Sequence, residues 1–282
     1  MFPKILLFIL LFFGFETNAQ VLYTAEDSTL FYSKLKTFEN FETNAHQNII
    51  VAIGKTFLET PYVEKTLELG ESESLVVNLR GLDCTTFVEN VLAFGLMYEN
   101  QQFQFLDFIE NLEKIRYRDG KINGYPSRLH YFTEWIRNNE KKGLVTDITS
   151  ELGGIQTEKS INFMGTHRNL YPFLGEEENY KAILEVEETL AKENLCILPQ
   201  DQIEQNENLI QSGDIVALAT SIKGLDVTHT GIAIKQPDER IYLLHASSAG
   251  SVMISKEPLV DYLKKIKYNI GIIVARPTLL SP

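Results

Sequence analysis

The chain has 282 residues, 44% of them hydrophobic, and a formal net charge of −12 at pH 7. That length and apolar fraction are enough for a large buried core. The acidic balance argues against nucleic acid or an anionic membrane surface as a partner.

The first residues have the pattern of a secretory signal peptide. Lys4 is followed by an apolar run over 5–13, and Thr17-Asn18-Ala19 supplies the small residues that precede a cleavage site. A membrane anchor is the alternative, but Glu16 ends the run well short of the roughly 20 apolar residues that a span needs. We therefore predict a signal peptide over 1–19. No cysteine follows the run, so no residue is present there to accept a lipid anchor. The mature protein is then exported without a membrane anchor, to the periplasm or the outside.

Three elements are predicted before position 100. Apolar residues recur at helical spacing over 45–58 and again over 85–98, which predicts two helices. Between them, the β-prone run Leu75–Leu79 predicts a strand that ends at Arg80-Gly81. The second helix begins directly after Cys84.

The rest of the chain has a mixed middle part and a β-rich end. Positions 100–195 combine helical stretches, an aromatic block and an acidic helix over 176–193, without a repeat or a flexible linker. We therefore predict one α+β domain over 20–282, with helices packed on one face of an antiparallel sheet and a large, mostly helical insertion at about 100–195. The sheet is predicted as an antiparallel meander of short runs joined by polar turns. The runs in this part of the chain cover 214–219, 229–236, 240–246, 251–255 and 271–276, and four of them are joined by such turns.

Cys84 stands at the mouth of the second predicted helix, where a nucleophile would be activated. A thiol attacks as thiolate, and the unpaired N–H groups and dipole of a helix N-terminus lower its pKa. Either Asp83 is the N-cap and Cys84 lies in the first turn, or Thr86 and Glu89 form a capping box that leaves Cys84 outside. The alternative role for Cys84 is a disulfide with Cys196, the only other cysteine.

Two histidines lie in consecutive predicted strands, and the turn around Pro237-Asp238 is midway between them. A loop with an odd number of residues would place His229 and His245 directly opposite each other on one sheet face. On that face Gly231 and Ala233 leave room for the helix that carries the thiol. A thiol, a histidine base and a second histidine to orient it have the composition of a catalytic triad. Two structural histidines are the alternative.

These residues resemble the NlpC/P60 superfamily of papain-like cell-wall hydrolases. The run Leu82–Val88 is similar to its D-C-S-G-[LF]-V nucleophile motif, although Thr85-Thr86 replaces Ser-Gly, and His229–Ala233 resembles its H-V-G-I base motif. Other similar segments are the G-D strand start, the T-P-Y segment and the site of the orienting polar residue, namely Ser212–Val216, Thr60–Tyr62 and Leu244–Ser247.

Within the superfamily, the chain resembles the N-acetylmuramoyl-L-alanine amidase-like branch. The similarity extends from about Ile50 to Arg276, and the segments that carry it are Asn78–Arg80, Arg128–Phe132, Phe163–His167 and Gly224–Asp226. The resemblance implies a papain-like fold and hydrolysis of the N-acetylmuramoyl-L-alanine amide bond in peptidoglycan or its turnover fragments. It also implies that no cofactor and no metal ion takes part.

The resemblance assigns roles to individual residues. Cys84 attacks the carbonyl carbon, His229 carries the proton, and His245 orients His229. The Cys84 N–H is the expected oxyanion donor, assisted by the Tyr62 hydroxyl. Further polar side chains are predicted to bind substrate, although an N-cap role for the first and a solvated surface position for the others explain them equally well. These candidates are Asp83, Arg128, Tyr131 and His167.

Three other functions remain open from the sequence. An endopeptidase of the same superfamily would cut the γ-D-glutamyl-diaminopimelate bond of the stem peptide, but the long insertion favours the amidase. A zinc hydrolase would use Cys84, both triad histidines and His167, but no close ligand pair such as H-x-x-x-H is present. A non-enzymatic peptidoglycan-binding module would predict a broken triad, whereas here all three positions are filled.

Overall fold

The computed structural model describes residues 21–38, 41 and 49–279. The predicted signal peptide and the first residues of the helix predicted over 45–58 lie outside this part of the chain. None of the helices in the described ranges is long and apolar enough to cross a membrane. Apart from short 3₁₀ turns, these helices are α1 (Ala25–Phe38), α2 (Ile49–Lys55), α3 (Cys84–Glu99), α4 (Phe105–Arg116), α5 (Phe132–Lys141), α6 (Phe163–Thr166), α7 (Glu177–Leu190), α8 (Ile203–Asn206) and α9 (Leu259–Lys264).

Helix α1 was not predicted, and its buried face explains why. Asp27, Phe31, Lys34 and Phe38 recur at helical spacing and are buried, but two of the four are charged. Asp27 accepts a hydrogen bond from the Leu79 N–H at 2.9 Å, and the Lys34 ammonium donates to a backbone carbonyl at 2.7 Å. An apolar periodicity therefore misses a helix whose inward face is half polar.

The strands form one large sheet and one small one. They are β1 (Val21–Leu22), β2 (Leu75–Val76), β3 (Val145–Asp147), β4 (Ile155–Thr157), β5 (Leu195–Pro199), β6 (Ile215–Thr220), β7 (Val227–Lys235), β8 (Ile241–Ala246), β9 (Val252–Ile254) and β10 (Asn269–Pro277). The large sheet has the order β4-β5-β10-β6-β7-β8-β9, with β3 also paired to β10, and its pairs are antiparallel. The predicted meander is confirmed as β6 to β9. Strands β1 and β2 pair with each other in parallel.

Apolar side chains cover both faces of the large sheet. On one face, Ile232 and Leu244 belong to the main core, which also contains the buried residues of α2 and α3. On the opposite face, Leu243 lies in a smaller cluster with Leu259 and Leu263 of α9. The prediction that helices pack on one face only is therefore wrong. Strand β6 is buried at all six positions, and a strand that is apolar on both sides needs a cover on each face.

The stretch from 100 to 195 supplies strands as well as helices. Within it, β3 pairs with β10, and β4 pairs with β5, which begins at its end. Asp226, directly before β7, ties this stretch to the sheet: its carboxylate accepts hydrogen bonds from the N–H of Thr133 at 2.8 Å and from the hydroxyl of the same residue at 2.9 Å. Since Thr133 lies at the start of α5, this contact holds the inserted helices against the strand that carries His229.

Candidate active site

Cys84 is the first residue of α3, and Asp83 is its N-cap. The Asp83 carboxylate accepts hydrogen bonds at 2.8 Å from both the N–H and the hydroxyl of Thr86, and the Asp83 N–H donates to that hydroxyl at 2.9 Å. The first of the two predicted arrangements is therefore confirmed. The alternative box is wrong, because Glu89 is buried and pairs with Arg116 at 2.7 Å. Cys84 consequently lies in the first turn of α3, where backbone N–H groups have no acceptor within the helix.

The two histidines share one sheet face, as the odd-numbered loop predicted. Their strands are joined by the five residues 236–240, and His229 Nε2 lies 2.6 Å from His245 Nδ1. The ring centroids are 4.9 Å apart with planes at 84°. The prediction that they are directly opposed is wrong, since the loop is centred on Asp238 and this register sets Gly231 opposite His245. The histidines are diagonal neighbours, which long side chains can bridge.

Helix α3, which begins with Cys84, packs against the other face of β7. Ile232 faces α2 and α3, so by alternation Thr230 faces them too, whereas Gly231 and Ala233 share the histidine face. A side chain at Gly231 would meet His245, with Cβ atoms 2.9 Å apart. The prediction that these two small residues make room for the helix is therefore wrong. Cys84 instead interacts with the N–H and the hydroxyl of Thr230, the residue next to His229.

Desolvation favours the neutral forms of the Cys84 thiol and of the His229 and His245 imidazoles. Burial lowers the pKa of His229 to about 3, with a further contribution from the adjacent His245, and burial alone lowers the pKa of His245 to about 4. Burial and the nearby Asp83 carboxylate raise the pKa of the Cys84 thiol. At neutral pH the site therefore holds a protonated thiol and two neutral imidazoles.

Tyr62 lies beside the thiol, as predicted. Its N–H donates to the Gly250 carbonyl at 2.8 Å, and the Val63 N–H donates to the Leu82 carbonyl at 3.1 Å, so this segment connects the loop after β8 with the residues before Cys84. Burial and the negative charges of Cys84 and Asp83 raise the pKa of Tyr62 to about 12. The hydroxyl thus stays protonated and can donate a hydrogen bond.

Tyr262 is a site residue that the sequence did not reveal. Its ring packs edge to face against His245 with centroids 5.5 Å apart, and burial and the Cys84 charge raise its pKa. It belongs to α9, a helix of six residues in a part of the chain that was expected to contain strands. No motif in the sequence distinguishes this tyrosine from the others.

Arg128 and Tyr131 do not line an open groove, which corrects the prediction for both. Arg128 is 6% exposed, and its guanidinium lies 3.6 Å from the carboxylates of Glu68 and Glu73. Tyr131 is 2% exposed; its hydroxyl donates to Glu187 at 2.6 Å and accepts from a backbone N–H at 2.9 Å. Tyr131 joins parts of the inserted stretch to one another, and Arg128 ties that stretch to the segment before α3, so we do not retain them as substrate contacts.

His167 is exposed, as a groove residue would be. Its ring stacks on Phe163 with centroids 4.0 Å apart, and its Nδ1 lies 2.8 Å from the Phe163 carbonyl oxygen. Asp83 uses its carboxylate in the helix cap. A contact of either residue with substrate stays a prediction.

The disulfide and zinc alternatives fit the geometry poorly. Cys84 and Cys196 are both free thiols, so the predicted alternative of a disulfide is wrong. One nitrogen of His229 and one of His245 face each other at 2.6 Å, closer than the roughly 3.3 Å between two ligands of a tetrahedral zinc ion with bonds near 2.05 Å. Among the residues that the structure describes, no three His, Cys, Asp or Glu side chains are grouped so that they could hold a metal ion.

Several solved structures share this fold. An N-acetylmuramoyl-L-alanine amidase from Bacteroides uniformis is 38% identical, with a TM-score of 0.76, over 81% of this chain and 97% of that protein. A Bacteroides fragilis protein provisionally described as a xylanase is 42% identical over 79% of this chain and 98% of that one, with a TM-score of 0.74. A Legionella pneumophila protein, 22% identical over 89% and 94% of the two chains, has the same fold with a TM-score of 0.66.

These similarities define an amidase-like hydrolase that acts on peptidoglycan. A family model described as N-acetylmuramoyl-L-alanine amidase-like matches residues 52–272. A search of curated proteins found no match. Because the family match covers most of the chain, the protein belongs to the N-acetylmuramoyl-L-alanine amidase-like family, as its motifs predicted.

Proposed function

We propose that this protein is a cysteine amidase with a papain-like fold, of the NlpC/P60 superfamily, and that it cleaves the bond between N-acetylmuramic acid and L-alanine. The observation that carries the proposal is the arrangement at the mouth of α3, where Cys84 lies beside the strand that bears His229. His229 is in turn hydrogen-bonded to His245 at 2.6 Å. In this proposal Cys84 is the nucleophile, His229 the base and His245 the orienting group, the three parts that covalent catalysis of acyl transfer requires.

The His229–His245 contact defines the proton path. A neutral His229 that donates from Nε2 to His245 Nδ1 keeps its own Nδ1 free to accept a proton. In the first step the thiol proton passes to that Nδ1 while the sulfur attacks the carbonyl carbon. His229 then returns the proton to the amide nitrogen, the C–N bond breaks, and the peptide leaves with a free amine. Water, deprotonated by His229, hydrolyses the remaining thioester.

Two donors are placed to stabilise the oxyanion. Cys84 is the first residue of α3, so its N–H has no partner within the helix, and we assign it the role of donor to the carbonyl oxygen of a bound substrate. The protonated hydroxyl of Tyr62 is the second donor. The negative charge that develops on the oxygen favours both contacts in the transition state over the ground state.

The choice of scissile bond follows the family and the Bacteroides uniformis amidase. We do not extend the xylanase description to this chain, because glycoside hydrolysis uses a pair of carboxylic acids, whereas this site has a pair of imidazoles and a thiol beside Thr230. The substrate is intact peptidoglycan or its turnover fragments. From the signal-peptide pattern of the first residues, we further propose that residues 1–19 direct export to the periplasm or the outside.

The test compares two substrates side by side. A muramoyl-peptide and the same stem peptide without sugar are incubated with the protein, and the products are identified by mass spectrometry. We expect release of an intact peptide that begins with L-alanine from the first, and no cleavage of the second. Cleavage of the bare peptide after D-glutamate would replace the amidase by the endopeptidase. Loss of activity with iodoacetamide but not with a chelator separates thiol chemistry from zinc chemistry.

A further inference from the structure

Thr230 carries a buried hydroxyl beside the proposed nucleophile. The residue is 1% exposed, and within the described part of the chain its Oγ1 makes no hydrogen bond of regular geometry. Burial of a hydroxyl without such a bond is unfavourable, because the lost contacts with water are not replaced. A structural role therefore does not account for this hydroxyl.

The strand geometry directs the polar groups of Thr230 toward the sulfur. The Ala233 N–H donates to the Asp214 carbonyl on the β6 side, so by alternation the N–H groups of Ile232 and Thr230 point toward β8. The ladder with β8 ends at Ile232, so the Thr230 N–H lies beyond its last pair. The Thr230 side chain lies on the face that packs against α3. The hydroxyl of this side chain and the backbone N–H of Thr230 both interact with the Cys84 thiol.

We propose that Thr230 is a catalytic residue whose hydroxyl stabilises the thiolate of Cys84. A thiol is a weak hydrogen-bond acceptor, whereas a thiolate is a charged and much stronger one. The contact therefore strengthens when the proton moves to His229, so it favours the reactive state over the resting state. The branched Cβ of threonine restricts χ1 and holds the hydroxyl in place. The inference rests on the proposed function in that it takes Cys84 as the nucleophile.

The test uses the reactivity of Cys84 in the full chain, measured as the rate of iodoacetamide labelling at each pH and quantified on the Cys84 peptide by mass spectrometry. We expect Thr230→Val to slow labelling at neutral pH about 10-fold, the effect of losing one hydrogen bond to a charged group. The midpoint of the rate against pH should rise by about one unit. Thr230→Ser keeps the hydroxyl and should label like the wild type, as should Thr146→Val, the same substitution at an exposed strand position.

Three results would overturn the proposal. One is an unchanged labelling profile in Thr230→Val. Another is a Thr230→Ser variant as slow as Thr230→Val, because then the methyl group and not the hydroxyl matters. The third is a large fall in the melting temperature of Thr230→Val, which would show that the hydroxyl makes a structural bond. Labelling needs no peptidoglycan, so a protein that shows the expected shift but cleaves no muropeptide would refute the proposed substrate and leave the role of Thr230 standing.

Discussion

Two groups of polar side chains look equally functional in the sequence and differ in the structure. The first group is Cys84, His229 and His245, near the mouth of α3. Its two imidazoles contact each other through one nitrogen each, and desolvation keeps both neutral. The second group is Arg128 and Tyr131, in the inserted stretch, and carboxylates of glutamate side chains pair with both residues. The partners of a polar residue, rather than its type or position in a motif, therefore decide whether it can act on a substrate.

The largest expected effect concerns the first group. Cys84→Ala should reduce hydrolysis of a muramoyl-peptide by more than about 10³-fold, because no other group can form the covalent intermediate. The melting temperature should change little, since Cys84 is partly exposed. The control is Cys196→Ala, which removes the other free thiol and should keep full activity. Substantial turnover by Cys84→Ala would exclude this thiol as the nucleophile.

The second prediction concerns Arg128, where stability and not chemistry should respond. Arg128→Ala leaves the carboxylates of Glu68 and Glu73 without their buried cation, which should lower the free energy of unfolding by about 3–5 kcal/mol. Urea denaturation measures this change. Arg137→Ala, which breaks the more exposed pair with Glu193, should cost about 1 kcal/mol or less. If Arg128→Ala unfolds like the wild type but has a much higher KM, Arg128 binds substrate after all.

Local patterns predicted the first group well. The cap at Asp83, the start of the helix near Cys84 and the shared face of the two histidines depend on neighbours in sequence and on the period of a strand, which the chain displays directly. The resemblance to a known family added the roles of these residues. One error in the hairpin, a diagonal instead of a direct pairing, came from placing the loop centre at Pro237 rather than at Asp238.

The second group could not be predicted in the same way. Arg128 pairs with Glu68 and Glu73, and Tyr131 with Glu187, so the contacts that bury them join distant parts of the chain. The same holds for Tyr262, which reaches His245 only because α9 covers the second face of the sheet. The sequence did contain a signal for the helix that covers this second face. Strand β6 is apolar at nearly every position, and a continuous apolar run is typical of a strand that is covered on both faces.

A third prediction tests whether His245 belongs with the first group. His245→Ala removes the acceptor of the His229 Nε2 proton, so His229 loses its fixed tautomer, and kcat should fall about 10²-fold with little change in KM. Steady-state kinetics on the muramoyl-peptide measure both constants. The matched control is Tyr131→Phe, which breaks a buried hydrogen bond of the second group and should change stability without changing kcat. An unaffected kcat in His245→Ala would remove His245 from the triad.

The smallest expected effect is the response of stability to acid, to which the first group and the inserted stretch both contribute. The pKa values of His229 and His245 lie near 3 and 4 in the folded protein, below the value of about 6.5 in an unfolded chain. Between those values the unfolded state binds more protons, so the free energy of unfolding decreases as pH falls from about 6.5 toward 4. His130, whose ring packs against Tyr125 in the inserted stretch, also has a pKa well below 6.5. It therefore also lowers the free energy of unfolding as pH falls.

The double variant His229→Gln/His245→Gln separates the two contributions. Each triad imidazole should lower stability by of order 1 kcal/mol at pH 5, so the wild-type melting temperature should fall by roughly 5 °C between pH 7 and pH 5. In the double variant the decrease should be smaller but not zero, because His130 still titrates on unfolding. The exposed His167 serves as the control, since His167→Gln should leave the decrease unchanged. If the double variant loses stability with acid as steeply as the wild type, the fold does not hold His229 and His245 neutral.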